Sequence, residues 1–105
     1  MTKTQERVQR GIAFLDRNAP GWRDKIDLAT LDLVNCKRCV IGQIFGEYVK
    51  GVNVILGEAG RELREQFVSD HAFALEDTYA IHPDKSWRNL TNAWIEALEQ
   101  LSLPN

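Results

Sequence analysis

Apolar residues recur at helical spacing over most of this chain. In residues 4–18, Val8, Ile12 and Leu15 share one face, flanked by Ala13 and Phe14, and the pattern predicts an amphipathic helix. Thr2 or Thr4 is placed to cap it, Thr2 with Gln5 makes a capping box, and Pro20-Gly21 ends it. A second long helix is predicted to open at His82-Pro83-Asp84. There Trp87, Leu90, Thr91, Trp94, Leu98 and Leu101 fall three or four apart, and Pro104 follows the end. Residues 58–70 predict a third helix with Leu63, Phe67 and Val68 turned inward. Its other face carries Glu58, Arg61, Glu62, Arg64 and Glu65 in mixed sign at helical neighbour spacing, as a solvated face does.

The densest apolar stretch is NCKRCVIGQIFGEYVK, residues 35–50. Read as one helix, it leaves only Gln43, Glu47 and Lys50 as a polar stripe, so it is predicted to be the buried centre of the fold. Asn35 would be its N-cap, with Cys36 and Cys39 in the first turn. Gly42 and Gly46 each weaken a helix by about 1 kcal/mol relative to alanine, which implies another element packed closely against that face.

Shorter segments are predicted between these helices. Ile26-Asp27-Leu28 and Leu31-Asp32-Leu33 alternate apolar and polar, suggesting two extended pieces around a tight turn, although Asp27 would equally cap one helical turn. Residues 52–56, β-branched and bracketed by Gly51 and Gly57, suggest a short strand, with a continued helix as the competing reading. Phe73 with Leu75, and Tyr79 with Ile81, suggest a hairpin. The expected fold is mainly α, with about four helices around the central one and short extended segments. A small α+β domain is the alternative.

Size and charge sharpen the picture modestly. At 105 residues, 44% hydrophobic and 27% charged, residues 1–105 read as a single globular domain able to bury a core without staples. The net charge of −2 hides an asymmetry. Residues 1–50 hold nine Lys/Arg against six Asp/Glu, whereas residues 51–105 hold four against nine. Either the two halves face and neutralise one another, or a basic patch meets an acidic partner; the longest basic run is Lys37-Arg38. No apolar run reaches the roughly 18–20 residues of a membrane span, and the polar start MTKTQERVQR is not a signal peptide. A cytoplasmic protein with no membrane partner is expected, its two cysteines kept as thiols.

Cys36-Lys37-Arg38-Cys39 is the one motif with chemistry in it, and it admits three readings. A CxxC at a helix N-terminus beside two cations favours thiolate, and the order of elements approaches that of a thioredoxin-like thiol-disulfide oxidoreductase. That topology, however, wants a proline before the strand after its third helix, where this chain has Asp70-His71-Ala72. It also wants a continuously apolar strand ahead of the motif, where this chain alternates. Alternatively Cys36, Cys39, His71 and His82 would supply four zinc ligands, though the histidines are far from finger spacing. The third reading is structural, with Cys39 as a small buried hydrophobe. No glycine-rich phosphate loop, HExxH or triad is present, and neither a recognition module nor an excess of basic charge points to nucleic acid. No catalytic residue and no cofactor is assigned, and a non-enzymatic binding protein is expected.

At Cys39-Val40-Ile41-Gly42-Gln43-Ile44-Phe45-Gly46 the chain resembles a group of small uncharacterised proteins encoded by bacteriophages and prophages of actinobacteria. Gly11 to Leu15, Trp22, Ile26-Asp27, Leu31-Asp32-Leu33, Phe73 and Trp94 extend the resemblance over most of the sequence. It implies a phage accessory protein working in a bacterial cytoplasm, on a host or phage protein. It carries no fold, activity or site residues with it. Homodimerisation through Gly42 and Gly46 is a further possibility for the same apolar stretch.

Overall fold

The computed structural model describes residues 2–74 and 83–102. Among them the chain is mainly α: helix α1 (Lys3–Asn18), a 3₁₀ turn (Trp22–Lys25), α2 (Val40–Phe45), α3 (Tyr48–Leu56), α4 (Arg61–Asp70) and α5 (Pro83–Ser102), with no strand among the described residues. The suggested hairpin around Leu75, Tyr79 and Ile81 lies outside the described residues, as does Pro104.

α1 forms as its sequence directs. Thr2 Oγ1 accepts from the Gln5 backbone N–H at 3.1 Å, and Gln5 Oε1 accepts from the Thr2 N–H at 2.8 Å, closing the capping box. Beyond its end Gly21 takes a left-handed φ of 84°, turning the chain into the 3₁₀ turn that buries Trp22. α1 packs on α5 and on α4. Gly11 is what permits the approach: a Cβ there would collide with the His71 carbonyl and the Trp94 ring.

The core is one continuous cluster running from Val8, Ile12 and Leu15 through Trp22 and Val40 to Phe73, Leu90, Trp94 and Leu98. Trp22 and Trp94 meet edge to face at 6.4 Å, and Phe73 stacks on Trp94 at 6.0 Å. Both buried indoles are satisfied, Trp94 Nε1–H by the Ala72 carbonyl at 2.7 Å and Trp22 Nε1–H by Asp16 Oδ1 at 2.8 Å. No helix among the described residues is long and apolar enough to cross a membrane.

The middle of the chain departs from expectation. A single helix over 35–50 does not form. Residues 35–38 are turns, and the helix begins at Val40 with Cys39, not Asn35, as N-cap. It stops at Gly46, whose φ of 96° is closed to most L-residues, and α3 then starts at Tyr48. α2 and α3 are packed against each other, so the glycine turn lets one apolar run bury two faces instead of one. Gly42 is notched for contact: a Cβ would strike the Cys36 carbonyl and the Lys37 backbone. Gly46 faces open space and serves the turn alone.

Three further expectations fail for related reasons. Residues 52–56 continue α3 instead of forming a strand, because Gly51 and Val52 are buried mid-helix, with Gly51 against Ile41 and Phe45. Residues 26–33 form no strand; 28–30 and 33–34 are turns, and of the two readings the one in which Asp27 caps a single turn holds. Asp27 Oδ1 accepts from Ala29 N–H at 3.0 Å, and the Asp27 carbonyl accepts from Thr30 N–H at 3.2 Å. The third helix starts at Arg61, not residue 58, and Leu63 is 68% exposed on its outer side, while Val68 and the half-buried Phe67 turn inward as expected. α4 ends in a Schellman arrangement, with Phe73 N–H to the Val68 carbonyl (2.8 Å) and Ala72 N–H to the Ser69 carbonyl (3.2 Å). Ala72 holds the left-handed position usually given to glycine, at φ 59°.

Candidate functional site

The two cysteines lie at the corner where the turns of 35–38 run into α2. Asn35 organises that corner as a turn residue. Its Oδ1 accepts from Lys37 and Arg38 N–H at 2.9 and 3.1 Å, and its carbonyl accepts from Cys39 N–H at 2.9 Å. Cys39 is 1% exposed, and its Sγ accepts from Gly42 N–H at 3.2 Å, the position a capping oxygen would hold. The same sulfur lies 3.8 Å from the Cys36 carbonyl, which also accepts from Tyr48 N–H at 2.8 Å. The Cys36 thiol itself is exposed.

The electrostatics of this corner favour neutral groups. Burial pushes the Cys39 thiol above its ordinary value despite the Gly42 N–H, and burial together with the neighbouring thiols pushes the Tyr48 phenol up to about 12. Cys36 lies in the turn ahead of α2 and not, as expected, in the first turn of a helix.

Of the four residues considered for a metal, His82 lies outside the described residues. His71 caps α4, donating Nδ1–H to the Phe67 carbonyl at 2.8 Å, and its ring stacks on Phe67 at 4.0 Å and lies 5.5 Å from Phe14, edge to face. Its surroundings are therefore aromatic. Among the described residues no group of three or more His, Cys, Asp or Glu is arranged to hold a metal ion.

A second feature lies beside the thiol corner. The turns of 28–38 and the first turns of α5 enclose an open groove of about 510 Å³ whose walls include Asp32, Val34, Arg38, Trp87, Arg88 and Thr91. Its turn wall is anchored at several points. The Gln43 side chain bonds three backbone groups, with Oε1 accepting from Asp27 N–H (2.6 Å) and Nε2 donating to the carbonyls of Arg38 (2.9 Å) and Asp27 (3.3 Å). Asp32 N–H donates to the Arg38 carbonyl at 3.2 Å, and Asp32 Oδ1 accepts from Val34 N–H at 3.2 Å. Thr91 Oγ1 accepts from Leu33 N–H at 3.0 Å and ties these turns to α5.

Val34 is 57% exposed in this groove, Trp87 is half-buried, and Arg38 and Arg88 are exposed. The ion pairs among the described residues, Arg23–Asp16 and Arg61–Glu65, involve neither of these arginines. In the sequence Arg38 stands in a basic pair and Trp87 on the apolar stripe of the last helix. Val34 and Arg88 carry no signal in the sequence, and only the docking of the turns on α5 brings them together. Gln43 falls on the narrow polar stripe of residues 35–50, and one glutamine on a polar stripe carries no mark of a three-way staple. No protein family, curated protein or solved structure matches the chain.

Proposed function

We propose that this chain is a non-enzymatic docking protein that binds another protein and alters what that partner does. The groove between the turns of 28–38 and α5 supports the reading. It is concave and prearranged by side-chain bonds to backbone, and it offers an indole, an exposed valine and two guanidinium groups. Tryptophan and arginine are enriched among residues that dominate binding energy, and a wall already ordered before binding lowers the ordering cost. The resemblance to bacteriophage and prophage proteins supports a host or phage protein as the partner, met in the bacterial cytoplasm.

Affinity capture from a host lysate tests the reading. The wild-type chain is expected to retain a specific partner at native expression, and recovery of none would count against docking altogether. The rival, a thiol oxidoreductase using Cys36 and Cys39, is separated by an insulin-reduction assay. No turnover is expected; turnover abolished by Cys36→Ser would replace the docking reading. Sedimentation of the free chain tests the homodimer, for which Gly42 offers little, because its own Cys36–Lys37 backbone already covers it.

A further inference from the structure

Resting on the docking reading, we infer that the groove between the turns of 28–38 and α5 takes an acidic segment of the partner protein. The segment would set carboxylates on Arg38 and Arg88 and an apolar side chain against Trp87 and Val34. Charge carries this choice of occupant. The whole chain is net negative, yet the groove is walled by two guanidinium groups with no carboxylate paired to either among the described residues, and Lys37 adjoins Arg38 in sequence. Asp32 is the one acid among the described residues of the wall, and its Oδ1 already accepts the Val34 N–H. A cationic groove draws anionic groups and disfavours cationic ones.

Arginine suits that role better than lysine would, since its planar fork takes a carboxylate in two parallel hydrogen bonds. The Thr91 hydroxyl, accepting from Leu33, keeps its own proton to donate. A volume of about 510 Å³ is that of an ordinary binding cleft. A peptide is favoured over nucleic acid because the wall carries apolar surface beside its cations. A phosphate backbone would want a longer basic track, and no basic run in the chain exceeds Lys37-Arg38.

The test is fluorescence anisotropy at low ionic strength with the full chain and a short fluorescein-labelled peptide of glutamates around a central leucine. A glutamine version of that peptide and a single-stranded oligothymidylate serve as comparisons. The acidic peptide is expected to bind about tenfold tighter than the glutamine peptide and to weaken as salt is added. Arg38→Glu and Arg88→Glu are each expected to lower that affinity about tenfold. Both residues are exposed, so the circular dichroism should not change. Lys50→Glu, an exposed site on α3 outside the groove wall, should leave binding unchanged. In amide and indole NMR spectra the peptide should shift Val34, Thr91 and Trp87.

Equal affinity for the two peptides, tighter binding of the oligothymidylate, or indifference to both arginine reversals would overturn the inference. Lysate capture separates the two failures. A partner still retained by the Arg38→Glu, Arg88→Glu double variant would leave docking intact and place it elsewhere, whereas no partner for the wild type would remove both.

Discussion

Gly11 shows how a single missing methyl can outweigh propensity. Alanine is the better helix former by about 1 kcal/mol, so helix statistics alone favour Gly11→Ala. The added Cβ would meet the His71 backbone carbonyl and the Trp94 ring, neither of which can swing away as a flexible side chain does. Overpacking of this kind typically costs about 1–3 kcal/mol, so the variant is expected to unfold at lower temperature in calorimetry despite its better helix residue. Asp16 is a second such case. Burial alone would raise its pKa, but the Trp22 indole N–H and the Arg23 guanidinium prevail and hold the carboxyl below its ordinary value. A carboxylate with a lowered pKa contributes stability above its unfolded value and loses it as the pH falls through the folded one. Thermal stability should therefore drop below about pH 4, less steeply in Asp16→Asn. Because Asp16 and Arg23 are each nearly half exposed, their ion pair contributes little. Asp16→Ala should still cost about 1–3 kcal/mol by leaving the Trp22 indole without its acceptor. The cysteines divide by burial: alkylation at neutral pH should modify Cys36 readily and Cys39 only as the protein opens, as mass spectrometry after timed quenching would read.

Between α2 and the turns before it, one side chain holds several backbone groups. Gln43→Ala removes the staple from Asp27 and Arg38 and should cost about 1–3 kcal/mol. Hydrogen exchange should quicken through 27–38 with little change in α1 or α5, because the loss is confined to the turn wall. The α2–α3 corner has its own pH signature. Tyr48 is raised from 10.0 to about 12, and Cys39 is raised also. A raised folded pKa gives stability that is complete below the unfolded value and is lost as the pH climbs through the folded one. Denaturant midpoints should therefore fall between about pH 10 and 12, and Tyr48→Phe, which keeps the ring and drops the hydroxyl, should flatten that limb.

Over the whole molecule, the apolar pattern located what is buried far better than how the chain turns between buried points. Val8, Ile12, Leu15, Leu90, Trp94 and Leu98 are readable from helical spacing alone and all lie in the core, where Trp22 and Phe73 join them. Leu63 misled because periodicity identifies an apolar stripe without saying whether anything covers it. The opposed charges of the two halves do not meet in the ion pairs seen among the described residues. Arg23–Asp16 lies within the first half and Arg61–Glu65 within the second, while Arg10 reaches across to α4 and bonds the Asp70 carbonyl, not its carboxylate. The basic character near Lys37 and Arg38 is thus left at the surface, with Arg38 in the groove wall.

The sequence by itself determined the helical class, the capping box and termination of α1, the long amphipathic course of α5, and most of the core. Each rests on interactions within a few residues or on a period that burial of one face imposes. Only the tertiary structure decided that 35–50 would break into turns and two short helices, that Cys39 and not Asn35 would cap, and that Arg38, Trp87 and Arg88 would share a groove. Those outcomes depend on which segments approach one another. Gly46 folds α3 back onto α2, and Gln43 and Thr91 tie the turns to α2 and α5 through backbone groups that local turn bonds leave open, such as the Asp27 and Leu33 N–H groups.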